Sequence, residues 1–174
     1  LVVLIFIAFP LAYDVYRPFL WVMAALTMTV GNVVALKQTN IVRMLAYSSV
    51  SQGGFILMPL AVAFTNGNQG ASLRAVMVYL IIYAATNLGA FAVVIAVSRK
   101  TRSGEISSFG GLFQYAPGLT VMMTIFLASL AGIPPLGGWY AKFGAFRAAV
   151  DAGGGWGYGI AVIAAVNAVI ATAY

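Results

Sequence analysis

The amino-acid sequence predicts an all-α fold, a polytopic bundle of transmembrane helices in which one helix is discontinuous. Three observations predict it. Of the 174 residues, 63% are hydrophobic and 7% charged, whereas a soluble domain averages about 45–50% apolar and about 25% charged. The apolar residues gather into runs close to the roughly 20 residues a helix needs to cross a hydrocarbon core of about 30 Å. The fifth run carries two prolines and three glycines near its middle, and a regular helix does not continue through such a cluster. Helices are preferred over a barrel because lipid offers backbone groups no partner outside their own segment, and a barrel would show alternation in stretches of about ten residues.

Six runs follow one another. Residues 1–12 read as the tail of a helix; with no Met at position 1, the chain is expected to be a piece of a longer protein. This run has neither the basic region nor the cleavage site of a signal peptide. The second run covers about 18–36, the third 44–64 and the fourth 75–98. The fifth spans 116–150 with its interruption, and the sixth begins near Tyr158. The stretch 99–115, with Thr101, Ser103, Gly104, Glu105, Ser107 and Ser108, is the longest polar connection. Asp14, Glu105 and Asp151 are all expected in loops, so no carboxylate is expected within a membrane segment.

Arg and Lys outnumber Asp and Glu nine to three. A nucleic-acid binder clusters its basic residues on one solvated face; here they lie between apolar runs, so a lipid bilayer is expected and nucleic acid is not. Assigned alternately to two sides, the loops place Lys37, Arg43, Arg99, Lys100 and Arg102 on one and Arg17, Arg74 and Arg147 on the other. The richer side is predicted to be cytoplasmic. There is no Cys and no His, so the ligands of haem, iron–sulfur, copper and catalytic zinc centres are missing and no cofactor or metal is expected on this chain.

Lys142 lies inside the fifth run, between Tyr140–Ala141 on one side and Phe143–Gly144 on the other. A lysine at the centre of a membrane helix costs about 2.5–3.5 kcal/mol on insertion scales, and such residues face a wet cavity or a partner. Directly before it runs S-L-A-G-I-P-P-L-G-G, in which Gly132, Pro134, Pro135, Gly137 and Gly138 should break the helix. Breaks at membrane depth survive where the freed carbonyls meet protein or water, and transporters place ion sites there. Desolvation disfavours a charged amine, so a small change in water access can load or release its proton. This residue is therefore a candidate proton relay. The bland alternatives are a lysine snorkelling to the outer interface beside Arg147 and Asp151, and a purely structural kink.

A second informative stretch, Q-T-N-I-V-R-M-L-A-Y-S-S-V-S-Q-G-G-F, joins the second and third runs. Thr39 or Asn40 is placed to cap the next helix. Ser48, Ser49, Ser51 and Gln52 then form either a hydrated path from the basic side or a packing patch of small polar residues. Tyr79, Tyr83, Thr86 and Asn87 recur at helical spacing on the fourth run and extend that path on the functional reading.

These blocks, in this order, resemble the antiporter-like, proton-pumping subunits of respiratory NADH:quinone oxidoreductase (complex I). "QTNIVRMLAYSSVSQGGF" is similar to the family's signature after its ninth helix, and "SLAGIPPLGGWYAKF" to its broken twelfth helix with its lysine. "TNLGAFAVV" and "SGEISSFGGL" resemble the subunit N branch. The resemblance implies that residues 1–174 are a single transmembrane domain, about helices eight to thirteen and about one of two inverted five-helix antiporter-like repeats. It places Lys142 as the relay lysine on the outlet side of the proton path, with further relay residues upstream. Many relatives carry Lys where Val42 stands and His where Gln52 stands, so at these two positions the resemblance does not supply a titratable group for the basic end of the path.

The implied function is proton translocation across the inner (cytoplasmic) membrane of a bacterium, driven by quinone reduction elsewhere in the complex. The implied partners are protons, lipid and the other membrane-arm subunits; NADH, flavin, iron–sulfur clusters and quinone belong to other subunits. Two other readings share some of these residues: a subunit of a multisubunit cation/proton antiporter or membrane-bound hydrogenase, and a structural membrane scaffold.

Overall fold

The structure, a computed structural model, describes residues 1–8 and 10–174. Its helices are α1 (Tyr13–Ala35), α2 (Ile41–Ala61), α3 (Gln69–Thr101), the single turn α4 (Leu112–Tyr115), α5 (Pro117–Ala131), α6 (Gly137–Ala152) and α7 (Gly154–Ile170). Among the described residues there is no strand; a single bridge pairs Asn40 with Glu105. The expected tail at 1–12 is not one straight helix. Leu4–Ala8 forms a π turn and Pro10–Ala12 a 3-10 turn, and Phe9 lies outside the described residues.

Several boundaries move outward from their expected places, α3 most, since it covers Gln69–Thr101 rather than 75–98; two of these shifts bring acids into helices. α1 begins at Tyr13 rather than near 18, which puts Asp14 in its first turn. The acid suits the positive end of the helix dipole, and its carboxylate lies 3.7 Å from Arg17. Pro18 sits early in the helix, where its missing N–H forfeits only the bond to the Asp14 carbonyl. At the other boundary α6 runs through Asp151, which pairs with Arg147 at 3.5 Å one turn earlier. Two of the three acids expected in loops are thus helical, held by i,i+3 and i,i+4 partners; Glu105 alone is in a loop.

α1 and α2 form an intimate antiparallel pair because small residues let their backbones touch. A β-carbon on Gly31 would come within 2.6 Å of the Ser51 amide nitrogen. α2 starts as expected at Asn40, whose side-chain oxygen accepts from the amides of Val42 and Arg43. The loop before it docks on the loop after α3: Ile41 donates to the Gly104 carbonyl at 2.9 Å and Ile106 to that of Thr39 at 2.8 Å. This docking gathers Lys37, Arg43, Arg99, Lys100 and Arg102 at one end of the bundle.

α6 is the central element. Its stripe of Ala141, Ala145, Ala149 and Ala152 is buried against Met28, Phe55, Met58 and Ile160. Its far end is closed by the α2–α3 connection, where Asn66 and Asn68 donate side-chain amides to the carbonyls of Ala152 and Ala148. A second core of Ile41, Leu45, Val93, Val94, Val97 and Met123 joins α2, α3 and α5. The outward faces of the helices expose apolar side chains such as Ile81, Leu88, Val162 and Val169, the pattern of a lipid-facing exterior. α1 and α3 are each long and apolar enough to cross a membrane. α5 and α6, about 22 and 24 Å at 1.5 Å per residue, cross only as a pair laid end to end.

Candidate functional site

The break falls where the prolines and glycines place it. α5 stops at Ala131, Gly132 adopts φ 92° in the left-handed region, and α6 resumes at Gly137. A side chain at Gly132 would be strained in that conformation. The last four carbonyls of a helix have no partner within it, and here all four are accounted for. Gly132 and Ile133 donate to the carbonyl of Ala128, and Gly132 also to that of Ser129. The remaining two are reached by side chains from elsewhere in the bundle.

Those side chains are Lys142 and Gln52. The ammonium of Lys142 donates to the carbonyl of Leu130 at 2.9 Å and to that of Ala131 at 2.8 Å. The amide of Gln52 donates to the same Leu130 carbonyl at 3.1 Å. Lys142 is 5% exposed, and neither ion pair among the described residues includes it. Its compensation is the negative end of the α5 dipole and the face of Phe55, whose ring centre lies 5.1 Å from Nζ. Two of the three ammonium donors are used. The lysine also lies ten residues, about 15 Å, before the end of α6 and turns back toward α5, which is not the geometry of snorkelling to the outer interface.

The opposite helix end is sealed as closely. Ser129 Oγ accepts from the Gly138 amide at 3.0 Å, which satisfies one orphan donor of α6. A β-carbon on Gly138 would overlap the carbonyl of Ser129. Behind the lysine, Tyr79 donates its hydroxyl to Gln52 Oε1, so the amide is held with its NH2 toward Leu130. Gln52, Tyr79, Tyr83, Thr86, Ser129 and Lys142 surround a space of about 10 Å³, room for about one water.

The other residues of the expected path are dispersed. Gln52 reaches the lysine; Ser48, one turn earlier on the same face, meets the Tyr174 hydroxyl at 3.3 Å. Ser49 spends its hydroxyl on the Leu45 carbonyl of its own helix. Ser51 is buried against α1 with no hydrogen-bond partner, the packing role that small polar residues play. Thr86 lines the lysine pocket while bonding the Ile82 carbonyl, and Asn87 does not line it. Four contributors were not singled out from the sequence as partners of the lysine: Ser129, Phe55 and the main-chain carbonyls of Leu130 and Ala131. The first lies in the break motif, but carbonyls leave no mark in a sequence. Also unforeseen is a polar joint between α1 and α7. There Asn32 donates to Asn167 Oδ1 at 3.0 Å and to its carbonyl at 2.9 Å, and Asn167 donates to Thr29 at 3.1 Å. No group of three or more His, Cys, Asp or Glu side chains comes together among the described residues.

Residues 1–168 match the family described as NADH:quinone oxidoreductase/Mrp antiporter, TM. The chain is 43% identical over its whole length to NADH-quinone oxidoreductase subunit N 2 of Streptomyces griseus, of which it covers 33%. It is 40% identical over 98% of its length to subunit N of Trichlorobacter lovleyi, of which it covers 34%. It thus spans about a third of the length of these relatives. Among solved structures, a chain of respiratory complex I from Thermus thermophilus superposes with a TM-score of 0.69 at 28% identity, covering 90% of this chain and 34% of that one. A chain of the membrane-bound sulfane sulfur reductase, an archaeal respiratory membrane complex, superposes with a TM-score of 0.78 at 25% identity, covering 91% of this chain and 32% of that one. With its helical bundle, its lipid-facing exterior and a family match across nearly every residue, the chain belongs to the NADH:quinone oxidoreductase/Mrp antiporter family as a multi-pass membrane protein.

Proposed function

We propose that this chain is part of a proton-translocating membrane subunit of NADH:quinone oxidoreductase, and that Lys142 relays protons within it. The observation that carries the reading is a buried ammonium held by two main-chain carbonyls of a broken helix and by no carboxylate among the described residues. A carbonyl is a neutral acceptor, so the lysine can lose its proton without leaving a bare buried counter-charge; a carboxylate partner would hold the proton far more firmly. Such a group can be loaded from one side of the membrane and emptied to the other as water and neighbouring charge rearrange. Gln52 fixes the Leu130 carbonyl and Tyr79 fixes Gln52, so the pair positions the relay.

On this reading residues 1–174 form about one five-helix antiporter-like repeat. The parent protein sits in the cytoplasmic membrane of a bacterium among the other membrane-arm subunits of complex I, where NADH, flavin, iron–sulfur clusters and quinone do the redox chemistry. The likeness to the archaeal reductase chain supports a second reading, in which the same bundle serves another respiratory or antiporter complex; the relatives named subunit N at 40–43% identity favour the first. The test is Lys142→Met in the full-length protein, with proton pumping, NADH:quinone activity and assembly followed in the same membranes. Lost pumping in an assembled complex supports the relay, and unchanged pumping overturns it.

A further inference from the structure

A crevice of about 490 Å³ lies between α3 and α6, at the end of the bundle opposite the basic loops. Its mouth holds the guanidiniums of Arg74 and Arg147 and the carboxylate of Asp151. The two helices run antiparallel, since Asn68 meets Ala148 at this end and Ile82 lies beside Gly137 further in. Later residues of α3 and earlier residues of α6 therefore lead into the bundle. Val78 is one turn inward from Arg74, Phe143 one turn inward from Arg147, and Tyr140 about 10 Å inward at 1.5 Å per residue. The floor carries no long side chain: it includes Gly70 and Gly144, and a β-carbon on either would meet nothing within 4 Å.

We propose that this crevice binds an anionic phospholipid of the leaflet opposite the basic loops, with its phosphate on Arg74 and an acyl chain along Val78, Phe143 and Tyr140. Charge complementarity selects the head group. Asp151 lies 3.5 Å from Arg147 and offsets it, whereas Arg74 belongs to neither ion pair among the described residues. One cation is left at the mouth, and a guanidinium matches the geometry of a phosphate; basic pockets between transmembrane helices hold anionic head groups in this way. The order of chemistry along the crevice, charged at the rim and apolar within, is that of a lipid. A free anion would leave the inner wall uncovered, and a protein helix would have to bring a carboxylate to the height of Arg74 and a bulky side chain over Gly144. Ala141 lines this crevice and the lysine pocket alike, so the lipid braces the helix that carries Lys142. The site stands whether or not Lys142 relays protons.

The test uses the full-length protein in its complex, reconstituted into phosphatidylcholine bilayers that carry a photoactivatable phosphatidylglycerol or, separately, the matching photoactivatable phosphatidylcholine. The diazirine sits on the acyl chain, and labelled residues are located by mass spectrometry. Val162, exposed on α7, is the reference for bulk lipid. The phosphatidylglycerol probe is expected to label Val78, Tyr140 or Phe143 in excess over Val162, and the phosphatidylcholine probe is not. Arg74→Gln should lower that excess about fivefold, the contribution of one basic residue near the membrane surface, and Arg74→Lys should restore most of it. Gly144→Leu fills the floor where space is open and should remove the labelling in a complex that still assembles. Equal labelling by the two probes, unchanged in Arg74→Gln, overturns the proposal and leaves the crevice to bulk lipid. Absence of labelling by either probe, with Gly144→Leu blocking assembly, also overturns it and assigns the space to a protein segment of the complex.

Discussion

At the broken helix a cation is buried against neutral carbonyls, whereas between α1 and α7 two neutral amides are buried against each other. The amide joint is closed: Asn32 gives both its protons to Asn167 and accepts from Tyr174, and Asn167 gives its own protons to Thr29 and Ile163. Interhelical bonds of this kind contribute about 1–2 kcal/mol in model peptides, so the joint stabilises the bundle. The lysine site does the reverse, since a lysine at membrane depth costs about 2.5–3.5 kcal/mol and the carbonyls it meets are free only because the helix is broken. Two prolines and a left-handed glycine create the acceptors that make the lysine tolerable. Burial alone does not separate the two sites; on the relay reading proposed above, the lysine is set apart by being ionisable with neutral partners, whereas the amides satisfy one another.

Lys142→Arg is the strongest way to break that comparison. Arginine keeps the charge and can still donate to the Leu130 and Ala131 carbonyls, but it does not surrender its proton. Pumping by the assembled complex is expected to fall by about 10²-fold, the low end of what a positioned proton-transfer group contributes, measured as proton uptake into inverted vesicles. Normal pumping would reduce the lysine to a helix cap, no different in kind from the amides. Next in size is Gly138→Ala, whose new methyl group overlaps the Ser129 carbonyl. It should cost about 1–3 kcal/mol as an overpacked junction, seen as a lower thermal midpoint of the purified protein; an unchanged midpoint would show that the break yields easily.

Asn167→Leu tests the other side of the comparison. It removes the Oδ1 acceptor of Asn32 and the bond to Thr29, leaving Asn32 only the main-chain carbonyl of residue 167 and Tyr174, and should cost about 1–2 kcal/mol, lowering the yield and heat resistance of the complex while each assembled complex pumps normally. A drop in pumping per complex would put the joint on the proton path and erase the distinction. The smallest effect is expected from Tyr79→Phe, which removes the hydroxyl that orients Gln52. A loss of about 0.5–1.5 kcal/mol is typical for one such bond, with pumping slowed slightly; pumping as poor as in Lys142→Arg would make the tyrosine itself a proton carrier.

Much of this was legible in the sequence, for reasons that are local. Asn40 announces its helix because a short polar side chain before an apolar run can serve only the first amides. The break at residues 132–136 is written in Pro134, Pro135, Gly132, Gly137 and Gly138 because proline lacks the donor a helix needs. The early start of α1 was not legible, because Pro18 is a stop signal that its position near the helix start defeats. Nor was the dispersal of Ser48, Ser49 and Ser51, since adjacent residues on a helix point about 100° apart and only rotation about the axis decides which faces a neighbour.

The sequence by itself determined that the chain is a membrane-spanning helical bundle, where its helices lie to within about two turns, that one is broken and that a lysine follows the break. Composition and backbone chemistry act over a few residues, so these properties survive without any knowledge of the fold. Tertiary structure alone decided that Lys142 turns back onto the Leu130 and Ala131 carbonyls, that Gln52 arrives from a separation of 78 residues to share one of them, and that Asn32 meets Asn167 across 135. The acceptors are main-chain atoms common to every residue. What makes two of them special is the end of a helix and the side chains that packing brings to it.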